Sequence, residues 1–181
     1  VKHQQDQTII IADNASTDDS LEFLKINYPT IQIIQNKDNY GFAKGYNEAL
    51  NKIKEEFEFF LLLNNDVEVT ENWIKPLLHS LQNENIAACQ PKILTYNNKN
   101  YFEHAGAAGG FIDKHYFPFC RGRIFESLEE DGSQYDSEEK VAWTSGAAML
   151  IKSSIFFEVG GFDEDFFAHM EEIDLCLRIQ K

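Results

Sequence analysis

FEFFLLLNND, residues 57–66, decides how this sequence folds. Its first seven residues are apolar except for Glu58, too apolar for the edge of a sheet, and predict a buried strand. Asn64, Asn65 and Asp66 then end it abruptly. Toward the N-terminus, residues 8–12 (TIIIA) form a short β-branched run of the kind that makes a buried parallel strand. Residues 13–18 (DNASTD) are turn and helix-capping chemistry. Leu21, Phe23, Leu24 and Ile26 suit an amphipathic helix that ends near Tyr28-Pro29. A second strand is expected over 31–35, a loop over 36–41, and a helix over 42–54 with Phe42, Tyr46, Ala49, Leu50 and Ile53 at helical spacing. Strands alternating with helices predict βα units and an α/β fold with a doubly wound, Rossmann-like layer.

Toward the C-terminus, a helix is expected over 71–81 and a strand within 86–94. From 97 to 140 the pattern fades. Gly106, Gly109 and Gly110 lie near aromatics, and 126–140 is charged, so this stretch reads as an insertion or mobile loop. Order returns at 147–151, followed by a helix over 153–159, a break at Gly160-Gly161 and a helix over 171–179.

The chain has 181 residues, 43% of them hydrophobic, with 15 Phe and 7 Tyr, which suffices for one globular domain with its own core. The net charge of -14, with no Lys/Arg cluster to offset it, excludes nucleic acid as a partner. A diphosphate bridged by a divalent cation stays compatible with that charge, as does a plain solubilising surface. Cys89, Cys120 and Cys176 are odd in number and widely spaced, without a CxxC. Neither a disulfide frame nor a zinc site follows, and a reducing compartment is the simpler expectation. A polar opening that runs straight into a strand, and an end at Gln180-Lys181 inside a helical pattern, suggest a chain cut at both ends.

In open α/β sheets ligands bind outside the carboxyl ends of the strands. That rule selects Asp13, the 36–41 loop and Asn64-Asn65-Asp66. Asp66 offers a hard oxygen to Mg2+ or Mn2+, and the two Asn amides can serve a ribose or phosphate without adding charge. A plain turn capping the next helix fits the same residues. Asp13 either reads an imide N–H and a hydroxyl of a nucleoside or satisfies local backbone N–H groups. In 39–47 (NYGFAKGYN), Gly41 and Gly45 permit close approach of a ligand, or of a packed helix. Glu171, Glu172 and Asp174 crowd one helical turn, which suits a general base and equally suits charge capping. His169 is a ligand, a base or merely packed. Trp143, in WTSG before a strand, is a sugar platform or a core residue.

Taken in order, IIIADNASTDDS (9–20), NYGFAKGYNEAL (39–50), FLLLNNDVEV (60–69), SGAAMLIKSSIFFEVGGFDEDFF (145–167) and MEEIDLCLR (170–178) resemble the family 2 glycosyltransferases, in particular their bacterial rhamnosyltransferase-like branch. The resemblance implies a GT-A fold: a mixed, mostly parallel sheet flanked by helices, truncated here at both ends. It implies a nucleotide-sugar-binding half over 1–96 and an acceptor-binding half over 97–181, with an insertion around 97–140. It also implies roles. Asp13 matches the acid that recognises the base. Asn39, Gly45, Asn47, Asn64 and Asn65 fall in nucleotide-binding stretches. Asp66 matches the metal-binding acid, for Mn2+ or Mg2+. Trp143, Gly146, Gly161, Phe162 and Asp163 lie on the acceptor side. Glu172 matches the catalytic base, with Glu171 as the alternative.

Two positions depart from the family pattern: Asn64 stands for the first Asp of its DxD motif, and Glu172 for an Asp. A strand before Val1, and a later strand carrying a histidine after Lys181, are expected. The implied function is inverting transfer from a UDP, dTDP or GDP sugar to a saccharide or lipid-linked acceptor, in cell-surface polysaccharide synthesis. The implied setting is cytoplasmic, with peripheral association at the inner face of the membrane as an option. A sugar-phosphate nucleotidyltransferase would want a glycine-rich basic loop after its first strand. A non-catalytic binding module would not need Asp13, Asp66 and Glu172 together.

Overall fold

A computed structural model describes residues 7–104 and 106–181. The polar opening at 1–6 lies outside the described residues. Two compact units make up the chain: one runs to Glu56 and takes in Phe162–His169, and the other is Phe57–Gly161 with Met170–Lys181.

The first unit is built from β1 (Ile10–Asp13), α1 (Ser20–Asn27), β2 (Gln32–Gln35) and α2 (Gly41–Asn51). β1 and β2 pair in parallel, from Ile10 opposite Gln32 to Asp13 opposite Gln35, with α1 as the crossover. α1 stops where Pro29 demands it, and the Tyr28 N–H still reaches the Leu24 carbonyl at 2.8 Å. None of its side chains is buried. α2 instead buries Ala43, Asn47 and Leu50 on one face, beside Gly45 and Ala49.

Phe162–His169 packs on α2 within the same unit. Phe162 is buried, with its ring 5.7 Å from Phe42 and 6.3 Å from Tyr46. The Phe42 N–H donates to the Phe167 carbonyl at 2.7 Å. That approach explains Gly41, which has φ +72 and whose added Cβ would stand 2.3 Å from the Phe167 oxygen.

The second unit holds β3 (Phe59–Leu63), α3 (Ile74–Ser80), β4 (Ala88–Cys89), β5 (Gly110–Ile112), β6 (Pro118–Cys120), β7 (Arg123–Ile124), β8 (Ser127–Leu128), β9 (Ala148–Lys152), α4 (Ser153–Glu158) and α5 (Glu171–Ile179). Its main sheet has the order β3-β9-β4, antiparallel throughout. β9 is the central strand, and its first four residues are all buried, as a strand covered on both faces must be. Leu77 and Leu81 of the α3 region pack with Leu150, and Phe156 of α4 is buried.

The mixed α/β class is as expected. Among the described residues the parallel pairing belongs to β1 and β2, while β3 finds its partner in a strand that returns from the opposite direction. The helix expected from 71 begins at Ile74, because Asn72 is left-handed (φ 58) and interrupts the first turn.

Residues 97–140, expected as an insertion or mobile loop, carry two hairpins, β5–β6 and β7–β8. They have a small core of their own: Phe102, Ala107 and Ala108, against which Leu94 and Tyr135 pack. The Arg121 guanidinium lies over the rings of Phe111 (5.7 Å) and Tyr135 (4.9 Å), and its Nε donates to the Ala108 carbonyl at 2.8 Å. Lys92 pairs with Asp131 at 2.7 Å and also with Asp136.

Trp143 caps this region. Its Nε1 donates to the Phe111 carbonyl at 3.0 Å, and a Cβ added at Gly110 would stand 1.8 Å from its ring. Gly110→Ala is therefore expected to destabilise the fold by about 3 kcal/mol, read as a lowered urea midpoint together with a changed Trp fluorescence.

Burial pushes the Tyr46 hydroxyl up from 10.0 to about 12. Since the raised value belongs to the folded state, its contribution is whole below pH 10.0 and is lost as pH rises through about 12. Wild type should lose about 2–3 kcal/mol more than Tyr46→Phe across that window. Urea midpoints of the two proteins on either side of it measure the difference.

Candidate functional site

In the first unit, the carboxyl ends of β1 and β2 are tied together by asparagines. Asn14 is the hub. Its Nδ2 donates to Asn39 Oδ1 (3.0 Å) and to the Gly41 carbonyl (2.9 Å), and its Oδ1 accepts from Asn36 Nδ2 (3.2 Å) and the Tyr40 N–H (3.2 Å). Asn36 Nδ2 also donates to the Gly45 carbonyl at 3.1 Å. A Cβ at Gly45 would press on the Asn14 amide at 3.1 Å. Close packing therefore accounts for both glycines of this loop-helix junction.

Asp13 stands beside this hub, 6% exposed. Its Oδ1 accepts the Ser16 N–H at 3.3 Å, which is the turn chemistry foreseen for it. Its Oδ2 is buried without a hydrogen-bond partner, so the turn accounts for one oxygen only. Asn47 is a brace. Its Nδ2 donates to the Phe162 carbonyl (2.9 Å) and to Glu164 Oε1 (3.3 Å), and its Oδ1 accepts the Phe162 N–H (3.0 Å). Asn47, in the stretch expected to bind nucleotide, thus holds the 162–164 turn. Asp163 is exposed, and its carboxylate accepts the Asp165 N–H at 3.0 Å.

In the second unit, Asn64 continues the β3 ladder by donating its N–H to the Ala147 carbonyl at 3.0 Å. Asn65 and Asp66 then turn out into solvent, both exposed. α5 starts from Met170, itself left-handed (φ 75), and places Glu171 inward at 4% exposure and Glu172 half-buried. Arg178 fastens this helix to the Gly160-Gly161 break. It donates to the Val159 and Gly161 carbonyls (2.7 Å each) and pairs with Asp174 at 2.8 Å. Thr144 faces Cys176 at 3.6 Å, and burial pushes that thiol up. Gly146 is buried just before β9. Trp143 is 7% exposed with its face against Gly110, so of its two readings the core residue is the one observed.

The family model for glycosyl transferase family 2 matches residues 1–153. The chain belongs to that family. Among curated proteins it is similar to an N-acetylglucosaminyl-diphospho-decaprenol L-rhamnosyltransferase of Mycobacterium tuberculosis, 24% identical over 96% of this chain and 61% of that protein. Rhamnosyltransferase WbbL of Escherichia coli K12 is 25% identical over 77% of this chain and 54% of its own length. The chain thus spans little more than half the length of these relatives. Among solved structures, GalNAc-T7 with UDP, GalNAc and Mn2+ superposes with a TM-score of 0.68 at 18% identity, over 95% of this chain and 34% of that one. This likeness supports the GT-A fold expected from the sequence.

Asp66 is the carboxylate expected to face a divalent metal. Among the described residues no group of three or more His, Cys, Asp or Glu side chains is gathered to hold an ion. A single exposed carboxylate beside two amides is a hard-oxygen donor set. It suits Mg2+ or Mn2+ when most of the remaining coordination comes from water and phosphate oxygens. Sequence reasoning selected the 36–41 loop and read 13–18 as a turn but gave Asn14, Asn36 and Arg178 no role of their own, and all three order the loops that carry the candidate residues. Asn14→Ala should cost about 2 kcal/mol in urea unfolding, and Asn14→Asp should fall between it and wild type, because Asp keeps the accepted bonds and loses the donated ones.

Proposed function

We propose that this chain is part of an inverting glycosyltransferase that moves a sugar from a nucleoside-diphosphate donor to a saccharide or lipid-linked acceptor in cell-surface glycan synthesis. The observation that carries it is Asp66, an exposed carboxylate at the carboxyl end of β3, in a chain whose residues 1–153 match the family 2 model. The names of the relatives support rhamnosyl transfer and a polyprenol-linked acceptor. Donor recognition is assigned to 1–96, with Asp13 taking the base. Acceptor recognition is assigned to 97–181, including Gly146, Gly161, Phe162 and Asp163.

Glu172 is the base in this proposal. A base has to reach the acceptor hydroxyl, and Glu172 is half-buried, whereas Glu171 is 4% exposed. Glu172 takes the hydroxyl proton as the oxygen attacks the anomeric carbon from the face opposite the leaving group. A new C–O bond forms while the anomeric C–O bond to the diphosphate breaks, and the nucleoside diphosphate departs. A divalent cation at Asp66 supplies counter-charge to that leaving group when bound.

In the full-length enzyme, Glu172→Gln is expected to lower kcat by about 100-fold or more with donor binding unchanged. Asp66→Asn is expected to abolish the Mn2+-dependent thermal stabilisation by nucleoside diphosphates. Near-normal transfer by Glu172→Ala would show that the base lies elsewhere. An undiminished Mn2+-dependent shift in Asp66→Asn would remove the metal role from Asp66.

A further inference from the structure

Gln90 follows β4 directly and is half-buried. Both ends of its amide are engaged with backbone from distant parts of the second unit. Its Oε1 accepts the Ser145 N–H at 2.7 Å, and its Nε2 donates to the Gly106 carbonyl at 2.8 Å and to the Pro91 carbonyl at 3.1 Å. The two turns it joins are closely fitted. Gly106 is left-handed (φ +85), and a Cβ there would stand 2.8 Å from Ser145 Cβ and 3.0 Å from the Trp143 ring. Thr144 and Ser145 are each 4% exposed, so water is poorly placed to replace Gln90 at the Ser145 N–H.

The turn that Gln90 holds adjoins both proposed acids. Ser145 Oγ accepts the Ala147 N–H at 3.3 Å, and the Ala147 carbonyl accepts the Asn64 N–H at 3.0 Å. That last bond closes the β3 ladder, and Asp66 lies two residues beyond it. On the other side Thr144 faces Cys176 of α5 at 3.6 Å, one helical turn after Glu172. The bond from Ser145 to Gln90 is shorter than the turn's own bonds from Ala147 to Ser145 Oγ (3.3 Å) and from Ala148 to the Ser145 carbonyl (3.4 Å). The turn is therefore set from outside, and a misplacement of ~1 Å at a reacting group costs up to ~100-fold in rate.

We propose that Gln90 is a positioning residue for sugar transfer. It fixes the 145–147 turn, and through the Ala147–Asn64 bond it sets the end of β3 that presents Asp66. It touches no reacting atom. Its part in transfer rests on the role given to Asp66 above. Its hold on the strand end is read without turnover, so the two can fail separately.

Gln90→Met keeps the length of the side chain and removes both kinds of bond, whereas Gln90→Glu keeps the bond from Ser145 and loses the donated ones. In the full-length enzyme, amide hydrogen exchange at Asn64 should rise on the order of tenfold in Gln90→Met beyond any change in the middle of β9, and less in Gln90→Glu. At a temperature where the variants stay folded, kcat of Gln90→Met should fall on the order of tenfold with the donor KM within about twofold, and Gln90→Glu should lie between it and wild type. If Gln90→Met does not fold, Gln90→Glu carries both measurements. Exchange at Asn64 that only follows β9 overturns the proposal. So does a lowered Tm with kcat unchanged, which would leave Gln90 a plain crosslink of the fold. Full activity in Asp66→Asn would overturn Asp66 as the group positioned, whatever the exchange at Asn64 shows.

Discussion

The antiparallel pairing of β3 with β9 is the constraint on which the second unit depends. The register runs from Phe59 opposite Lys152 to Leu63 opposite Ala148. Side chains alternate across a strand, so this register sends Phe59 and Leu61 to the cluster of Leu77, Leu81 and Leu150, and Phe60 to Phe157 at 6.0 Å. A slip of one residue would exchange those two apolar faces and mismatch the packing on both. The last bond of the ladder is Asn64 to Ala147, and solvent begins at the next residue. Asp66 therefore owes its position to core packing two and more residues away. A ligand-facing carboxylate is best placed in that way, because its own bonding capacity stays unspent.

The long apolar or periodic runs were legible. β2, β3, α4 and α5 fall within the stretches that show period 3.6 or unbroken apolar character, and β1 and α2 each run one residue outside theirs, to Asp13 and from Gly41. What was not legible depends on partners far along the chain. The strands of the 97–140 region are two or three residues long, too short for any period to show. Its order comes from pairings such as Arg121 over Tyr135 and Lys92 with Asp131. Trp143 could not be placed for the same reason, since the glycine that admits its ring is Gly110. Strand direction was also hidden, because helices between strands imply parallel pairing only when the next strand in sequence is the neighbour in space.

The candidate site divides along the same line. Position after a strand singled out Asp13 and Asp66 from sequence alone. Burial then separated what spacing left equivalent: Glu171 and Glu172 are adjacent carboxylates in the sequence, and one turns inward while its neighbour keeps some exposure. The linking role of Asn14 and Asn36 was missed because an asparagine in a loop is ordinary turn chemistry, and the role here is a bond to a residue 22 to 27 positions away. Asn47 was noticed for the stretch it lies in, and its bond across 115 positions to Phe162 is one that no spacing shows.

The preference for asparagine over aspartate in these loops has an electrostatic sense. The chain carries a net charge of -14, and the proposed donor brings a diphosphate. Every carboxylate near that ligand would repel it, most strongly where water is excluded. Amides can accept and donate like backbone groups without that cost. Asn14, Asn36 and Asn39 build a cross-linked loop system out of neutral groups alone. Asn64 and Asn65 leave Asp66 as the one acid of its turn. In the proposed arrangement Asp13 takes a base rather than a phosphate, and Asp66 is where a cation reverses the sign, while Asp38 of the same loop is exposed. An Asp at Asn64 would hold a cation more firmly, and would add a second negative charge beside the diphosphate whenever that cation is absent.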